Sequence, residues 1–305
     1  MKRAFLILLC SLATVAAACN GGSSPPPATP DGASEPSGPS PSPTAAIVIQ
    51  EPRRPTVVID PGHGGPEVGA ANAAYDIAEK HSNLDMALRV EALLQAEGVR
   101  VVLTRREDAR AVDLGDSTAF GSTRRDLQAR VDLANTEQAD LFLSIHSNGS
   151  TDGSERGVEM WYDATREFAD DNRLLAETLQ RHVLAELAAH GTPAANRGIE
   201  DASCWRTRFD RCFSMFVIGG PRTTTRDELI QRGASPESLS LLEGRDSITT
   251  RATEMPGVLA ELLFLSNDAD AAILAHDAAR WAIARGLAQG LLDMLPDQPQ
   301  VSRGD

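Results

Sequence analysis

Two histidines and two glutamates in this 305-residue chain have the types and positions needed for metal-assisted hydrolysis. His63 follows the apolar run VVID, His146 follows LFLSI, Glu261 lies near the end of GVLAELL, and Glu79 begins an amphipathic segment. Two imidazoles and a carboxylate can hold zinc, and a second carboxylate can accept a proton from water. His63, Glu79 and His146 are therefore candidate metal ligands, with Glu261 as the free carboxylate. Each residue alone would more often be structural, since a glutamate at a helix start also favours the helix dipole.

Short apolar runs alternate with longer amphipathic segments across residues 56–295, and this alternation predicts an α/β domain. The predicted strands are residues 57–60, 99–104, 141–145, 157–162, 214–218 and 257–263. The predicted helices are residues 80–97, 122–137, 167–190 and 277–295, with polar helical segments at 225–232 and 236–245. The pattern implies a mainly parallel sheet with helices on both faces and a ligand site beyond the carboxyl ends of its strands. His63, His146 and Glu261 would then converge on one rim.

The N-terminus predicts export. Lys2 and Arg3 precede an apolar stretch that is too short to span a bilayer, which is typical of a bacterial secretion signal. The residues AAAC that end at Cys19 resemble a lipobox, which implies a lipoprotein signal peptide over residues 1–18 and acylation of the Cys19 sulfur. Ordinary cleavage after Ala18, which would leave a soluble protein, is the alternative.

The composition that follows the signal predicts how the protein would be attached. Residues 19–54 are rich in Pro, Ser and Gly, and such a segment is expected to be a disordered tether. The formal net charge of −14 disfavours nucleic acid as a partner and disfavours electrostatic adhesion to an anionic surface. Attachment to a membrane is therefore expected to come from a lipid anchor.

Two of the four cysteines, Cys204 and Cys212, remain after the signal and the lipidation candidate are set aside. In an oxidising compartment, two cysteines this close in sequence are expected to form a disulfide around a small loop. A zinc-binding pair is the alternative, although the chain has no further Cys or His at suitable spacing.

Five segments in order carry a family resemblance: VVIDPGHGG (57–65), AEKHSNLDMA (78–87), LFLSIHSN (141–148), NRGIE (196–200) and PGVLAELLFLSN (256–267). Together they closely resemble the zinc-dependent N-acetylmuramoyl-L-alanine amidases, a family of cell-wall amidases. The resemblance implies that His63, Glu79 and His146 bind one Zn²⁺ per chain and that Glu261 is catalytic. It also implies a three-layer α/β sandwich over residues 55–297, with a six-stranded, mostly parallel sheet and helices on both faces. Leu263 stands where the family usually has Gly, so packing beside Glu261 is expected to differ.

The resemblance implies hydrolysis of the amide bond between the lactyl group of N-acetylmuramic acid and L-alanine of the peptidoglycan stem peptide. The expected partners are peptidoglycan, a membrane through the lipid anchor and an activator protein, and the expected location is the periplasm, anchored to the outer membrane. One alternative is a non-catalytic peptidoglycan-binding or amidase-regulating lipoprotein on the same fold. Another is a zinc carboxypeptidase that acts on the stem peptide.

Residues 201–254 form an insertion that is longer than the family's usual connection between the last two motifs. Because it enters the strand that carries Glu261, we expect it to lie near the active rim. It is either a lid over the site, closed by the Cys204–Cys212 disulfide, or a surface excursion without a role. An inhibitory role is possible by analogy with family members in which a helix covers the zinc.

Overall fold

The computed structural model describes residues 53–113, 120–206, 212–213, 215–231, 236, 239, 242 and 244–296. The chain divides into two units, Met1–Gln50 and Glu51–Asp305. The predicted signal peptide, Cys19 and nearly all of the predicted tether lie outside the described residues. Among the described helices, none combines the length and the apolar character that crossing a bilayer requires.

Strands and helices alternate through the second unit, as the sequence predicts. The described strands are β1 (Thr56–Pro61), β2 (Ala71–Asn72), β3 (Ile77–Ala78), β4 (Arg100–Leu103), β5 (Leu141–Asn148), β6 (Val158–Tyr162), β7 (Asn196–Asp201), β8 (Trp205–Arg206), β9 (Cys212–Phe213), β10 (Arg222–Thr225), β11 (Ser247–Thr250) and β12 (Gly257–Phe264). The described helices are α1 (Glu79–Ala96), α2 (Phe120–Thr136), α3 (Ala169–His190), α4 (Arg226–Gln231), α5 (Asp268–Ala275) and α6 (Asp277–Leu292).

The central sheet has six strands in the order β4-β1-β5-β12-β6-β7. Neighbouring strands are parallel except β12 and β6, which are antiparallel. β1 is buried along its whole length, as expected for a central parallel strand covered on both faces. The predicted fold class, a mostly parallel six-stranded sheet in an α/β sandwich, is confirmed.

The sixth strand is not the one that the sequence predicts. Met215 to Ile218 forms a turn rather than a strand, and Ser214 lies outside the described residues. The sixth strand is instead β7, which lies at one edge of the sheet. Its residues do not alternate clearly between apolar and polar, and they are half-buried or exposed. The apolar run at 215–218 has another cause, because Val217 and Ile218 are buried in the core from a turn. Most of the predicted helix at 236–245 lies outside the described residues, and α5 was not predicted.

Alternating residues along β1 pack into two separate hydrophobic clusters. Val57 and Ile59 point into a cluster with residues of α1, α3 and α6, whereas Val58 points into a second cluster with α2. This follows from the strand period of two. The second cluster includes Val217 and Ile218, so the base of the insertion is part of the domain core.

Candidate metal centre

The three candidate ligands lie together at the carboxyl ends of the central strands. His63 Nε2 and His146 Nδ1 each lie 3.0 Å from Glu79 Oε1. One ligand atom from each of the three residues lies within 4.8 Å of the others. This is the only such group of three metal-binding side chains in the part of the chain that the structure describes. The predicted convergence on one rim is observed.

Glu79 is buried at the first position of α1 and is held by several donors. Its Oε2 accepts a 2.7 Å hydrogen bond from the Ala70 amide, and its Oε1 accepts one of 3.1 Å from the Ser147 amide. Burial alone would raise the pKa of this carboxyl, but hydrogen bonds and positive charge from His146 and His63 outweigh burial and lower the pKa below its usual range. Glu79 is therefore an anion aimed at the two imidazoles.

His63 has an unusual backbone conformation, with φ of 61°. Non-glycine residues in this region are strained by about 1 kcal/mol, so surrounding contacts must hold them there. Arg130 donates to the carbonyls of Pro61 and His63, and Arg105 donates to those of Pro61 and Gly62. The two arginines thus fix the loop that presents the imidazole.

Two glycines leave room for the ligands. A Cβ on Gly62 would lie no more than 2.6 Å from Nε2, Cε1 and Cδ2 of His146. A Cβ on Gly69 would overlap the Glu79 carboxylate and lie 2.8 Å from Cδ2 of His63. Gly69 also has φ of 72°, in the left-handed region. The backbone at both positions approaches the ligand side chains more closely than any other residue would allow.

A buried ionic network lies directly beneath the metal-binding loop. Arg130, which is 1% exposed, binds Asp60 and Asp126 at 2.8 Å each. Asp60 also accepts hydrogen bonds from Thr104 and Ser144. Burial raises the pKa of Asp60, but the Arg130 charge and these hydrogen bonds leave it below its usual value. Asp60 is therefore ionised and fully paired.

We expect Arg130→Ala to lower the free energy of unfolding by about 3–5 kcal/mol, because it leaves two buried carboxylates without their cation. Urea denaturation at neutral pH measures this loss. Arg173→Ala is the matched control, since Arg173 forms an exposed ion pair with Glu177 at 3.0 Å, and such pairs contribute about 0.5 kcal/mol or less. Equal losses in the two variants would contradict the assigned role of the network.

Glu261 lies beside the cluster on β12, next to His146 on β5 and Glu159 on β6 in the sheet register. Its Oε2 is buried and has no hydrogen-bond partner within the described residues. Burial raises the pKa of Glu261 well above its usual value, and repulsion from Glu79 and Glu159 adds to this effect. The site thus contains an uncommitted carboxyl group with a high proton affinity.

Glu159, by contrast, is fully engaged. Its Oε1 accepts hydrogen bonds from Asn148 Nδ2 at 2.8 Å and from Trp161 Nε1 at 3.1 Å. Its Oε2 accepts one from Arg197 Nε at 2.5 Å. Arg197 belongs to the NRGIE segment, so this segment supplies the positive charge that pairs with the Glu159 carboxylate.

A cavity of about 510 Å³ joins these groups. Its lining includes His63, His146, Glu159 and Glu261 on one side. Two imidazole nitrogens and one carboxylate oxygen form the set that zinc hydrolases use, with another carboxylate nearby. The residues present therefore fit a bound metal ion that is open to a ligand in the cavity.

Other sequence predictions have different outcomes. Cys204 is disulfide-bonded, but the side chain of Cys212 lies outside what the structure describes, so their pairing stays a prediction. Cys19 also lies outside the described residues. His81 is 60% exposed and pairs with Asp108, so it lies at the surface.

Sequence reasoning missed several residues that position the site: Asp60, Gly69, Arg105, Arg130, Glu159 and Arg197. Asp60 carried a usable signal, because a charged residue at the end of a buried apolar strand needs a partner. The identity of that partner, Arg130 on α2, had no local signal.

The surroundings of Leu263 account for a leucine at a position where the family usually has glycine. It has φ of 70° and lies where the register of β12 with β5 shifts. A left-handed backbone favours glycine at such a position. The leucine side chain is fully buried in the core between the sheet and α1, α3 and α6. This packing lies on the side of β12 away from the metal centre, and it offsets the strain of the left-handed backbone.

Comparisons with known proteins agree with the predicted family and fold. The family model described as N-acetylmuramoyl-L-alanine amidase matches residues 57–293. The chain is 36% identical over 162 residues to N-acetylmuramoyl-L-alanine amidase LytC of Bacillus subtilis (strain 168), covering 53% of this chain and 28% of that protein. It is 29% identical over 245 residues to the amidase AmiC of Neisseria meningitidis serogroup B (strain ATCC BAA-335 / MC58), covering 78% of this chain and 52% of AmiC. The chain therefore spans less than two thirds of either curated relative.

A solved structure extends the comparison to the fold. The catalytic domain of CwlV, an N-acetylmuramoyl-L-alanine amidase from Bacillus (Paenibacillus) polymyxa var. colistinus, matches with a TM-score of 0.53 and 26% identity. The match covers 78% of this chain and 97% of the CwlV domain. Because the family model spans most of the folded unit, the chain belongs to the N-acetylmuramoyl-L-alanine amidase family.

Proposed function

We propose that the chain is a zinc-dependent N-acetylmuramoyl-L-alanine amidase, which hydrolyses the amide bond between the lactyl group of N-acetylmuramic acid and L-alanine of the stem peptide. One observation carries the proposal: ligand atoms of His63, Glu79 and His146 lie within 4.8 Å of one another, beside Glu261, whose buried Oε2 has no hydrogen-bond partner among the described residues. Family membership supports the bond type and the peptidoglycan substrate.

The residues divide the reaction between them. His63, Glu79 and His146 would hold Zn²⁺, which when bound acidifies water and polarises a carbonyl group. Glu261 accepts a proton from the attacking water and then delivers it to the leaving amine of L-alanine. A carboxyl group with high proton affinity suits the first step, the acceptance of a proton, and burial gives Glu261 that property. Glu159, paired with Arg197, stays out of the proton transfer.

Digestion of purified sacculi tests the proposal, with products separated by chromatography and weighed by mass spectrometry. We expect intact stem peptides and peptide-free glycan strands, and no release in the presence of a zinc chelator. A carboxypeptidase would instead shorten stem peptides that stay attached to glycan. A regulating lipoprotein would release nothing, and either of these results would overturn the amidase assignment.

Export and lipid anchoring form a second part of the proposal, supported by the basic, apolar and small-residue sequence that ends at Cys19. We expect the wild-type chain to incorporate radiolabelled palmitate in a bacterial host and to sediment with outer-membrane vesicles. Cys19→Ser should abolish both the label and the sedimentation. Cys10→Ser is the matched control, because Cys10 lies within the predicted signal and should have no effect. Equal labelling of the two variants would refute acylation at Cys19.

A further inference from the structure

Part of the lining of the cavity at the metal centre is not used by the reaction scheme. Beside the catalytic groups the lining includes six apolar side chains from the sheet, α2 and the insertion: Leu127, Trp161, Met215, Phe216, Val217 and Leu259. We call these six residues the apolar wall.

The sheet register fixes the distance between the wall and the chemistry. Leu259 pairs with Trp161, and Glu261 pairs with Glu159, on the neighbouring strands β12 and β6. Residues two apart on a strand share a face and are separated by about 7 Å. Leu259 and Trp161 form an apolar row, and Glu261 and Glu159 form an acidic row. The two rows therefore lie side by side on one face of the sheet, separated by about the length of one residue in a peptide substrate.

The insertion supplies the rest of the wall from a fixed base. Val217 is buried in the second core cluster, and the Gly219 amide donates to the Met215 carbonyl at 2.8 Å. Arg166 donates at 3.1 Å to the carbonyls of both Ile218 and Gly219 and also binds Thr253. One side chain thus ties residues 218–219 of the insertion to its C-terminal end at Thr253.

Two further residues of the insertion, Phe216 and Arg251, contact α2. Arg251 pairs with Asp132, and its backbone exchanges hydrogen bonds with the Gln128 side chain. Arg124 lies over the Phe216 ring, 5.8 Å from its centroid. Residues 215–217 are therefore a preformed part of the site rather than a closing lid, because Val217 and the adjacent Ile218 are buried in the second core cluster.

We propose that the apolar wall is a specificity pocket for the small apolar groups that flank the scissile amide, and that Phe216 makes it selective for alanine over glycine at the first stem position. This inference rests on the proposed function. Most of the stem peptide is charged or strongly polar, and such groups would lose hydration against a wall whose indole donor, Trp161 Nε1, already donates to Glu159. The lactyl and alanyl methyl groups are the apolar parts of the substrate next to the bond that is cut. Their distance from that bond is no greater than the distance between the apolar row and the acidic row.

The test uses two synthetic N-acetylmuramoyl peptides that differ only in L-Ala or Gly at the first position, hydrolysed by the zinc-loaded full chain. One methyl group in an apolar pocket changes kcat/KM by about 10-fold or more. We expect the wild-type chain to prefer the alanyl substrate by about that factor, and Phe216→Ala to reduce the preference to about 3-fold or less. Zinc content should stay near the wild-type value, and kcat/KM should fall more for the alanyl than for the glycyl substrate, which a merely structural role for Phe216 would not predict.

Ile230→Ala is the matched control, because Ile230 is an apolar residue of the same insertion that is 54% exposed and lies outside the wall. It should keep the full preference. If Phe216→Ala does not fold, Leu127→Ala tests the same wall from α2 with the same expected result. An unchanged preference in the folded wall variant, or no preference in the wild type, would overturn the inference. Failure of the wild type to cleave either substrate would instead overturn the proposed function.

Discussion

Glu261→Gln should abolish peptidoglycan hydrolysis and leave the metal in place. Glutamine has nearly the same shape as glutamate but cannot accept the proton of an attacking water, and general acid–base catalysis contributes on the order of 10²–10⁴-fold. Two proton transfers depend on this residue in the proposed reaction, so we expect a loss near the upper end of that range. Zinc should stay at one ion per chain, because Glu261 is not one of the three clustered ligands.

Glu254→Gln is the matched control for this variant. Glu254 is exposed and lies three residues before β12, so the same chemical change there should leave activity unaltered. Hydrolysis of purified sacculi by all three proteins, followed by mass analysis, provides the comparison. Substantial activity in Glu261→Gln would refute the assigned role.

The same variant has a second consequence, for stability. Burial raises the pKa of Glu261 above its unfolded value of about 4.3, so the folded metal-free chain binds this proton more tightly than the unfolded chain does. Ionisation of Glu261 therefore opposes folding as the pH rises above that value. We expect the metal-free wild type to lose more thermal stability between pH 5 and pH 8 than Glu261→Gln does. Loss of activity together with unchanged or higher stability would exclude unfolding as its cause.

The four candidate site residues could be selected from the sequence because each lies at the end of an element with a clear pattern. His63, His146 and Glu261 end or follow buried strands, and parallel strands bring their carboxyl ends to one rim. Glu79 begins a helix, and the family resemblance implied its role as a ligand. Local patterns therefore located the candidate residues, and the topology of the sheet brings them together.

The supporting residues could not be predicted in the same way. The pairing of Asp60 with Arg130 joins positions 70 residues apart, and such a contact is decided by how α2 packs on the sheet. β7 was missed because an edge strand is partly exposed and lacks an apolar face, whereas Met215 to Ile218 resembled a strand because the core needs their side chains. Hydrophobicity reports burial, and burial alone does not distinguish a strand from a turn that packs inward.

Gly62 and Gly69 show a further limit of sequence reasoning. A glycine in PGHGG predicts a tight turn, and backbone freedom would be the usual explanation. The structure gives Gly62 a different role, since its missing side chain is the space that the His146 ring occupies. Such a requirement depends on a residue that is distant in sequence and cannot be read from the loop itself.

Gly62→Ala should therefore eliminate metal binding and, with it, activity. The added methyl carbon would lie no more than 2.6 Å from three atoms of the His146 imidazole, so the ring must leave the position from which it approaches Glu79. Metal analysis after dialysis should show well under one zinc per chain, and sacculus digestion should fall to the background level. Gly153→Ala is the matched control, because a Cβ there meets only the Ser266 carbonyl at an ordinary 3.6 Å.

A double variant separates the steric cause from general damage. His146→Ala removes the ring that the new methyl group would strike, so Gly62→Ala should cost much less stability in that background than in the wild type. Such coupling between residues in contact is typically 0.5–3 kcal/mol, and urea denaturation of the four proteins in the cycle measures it. If the two effects on stability simply add, or if Gly62→Ala alone retains a full complement of zinc, the His146 ring is not what requires glycine at position 62.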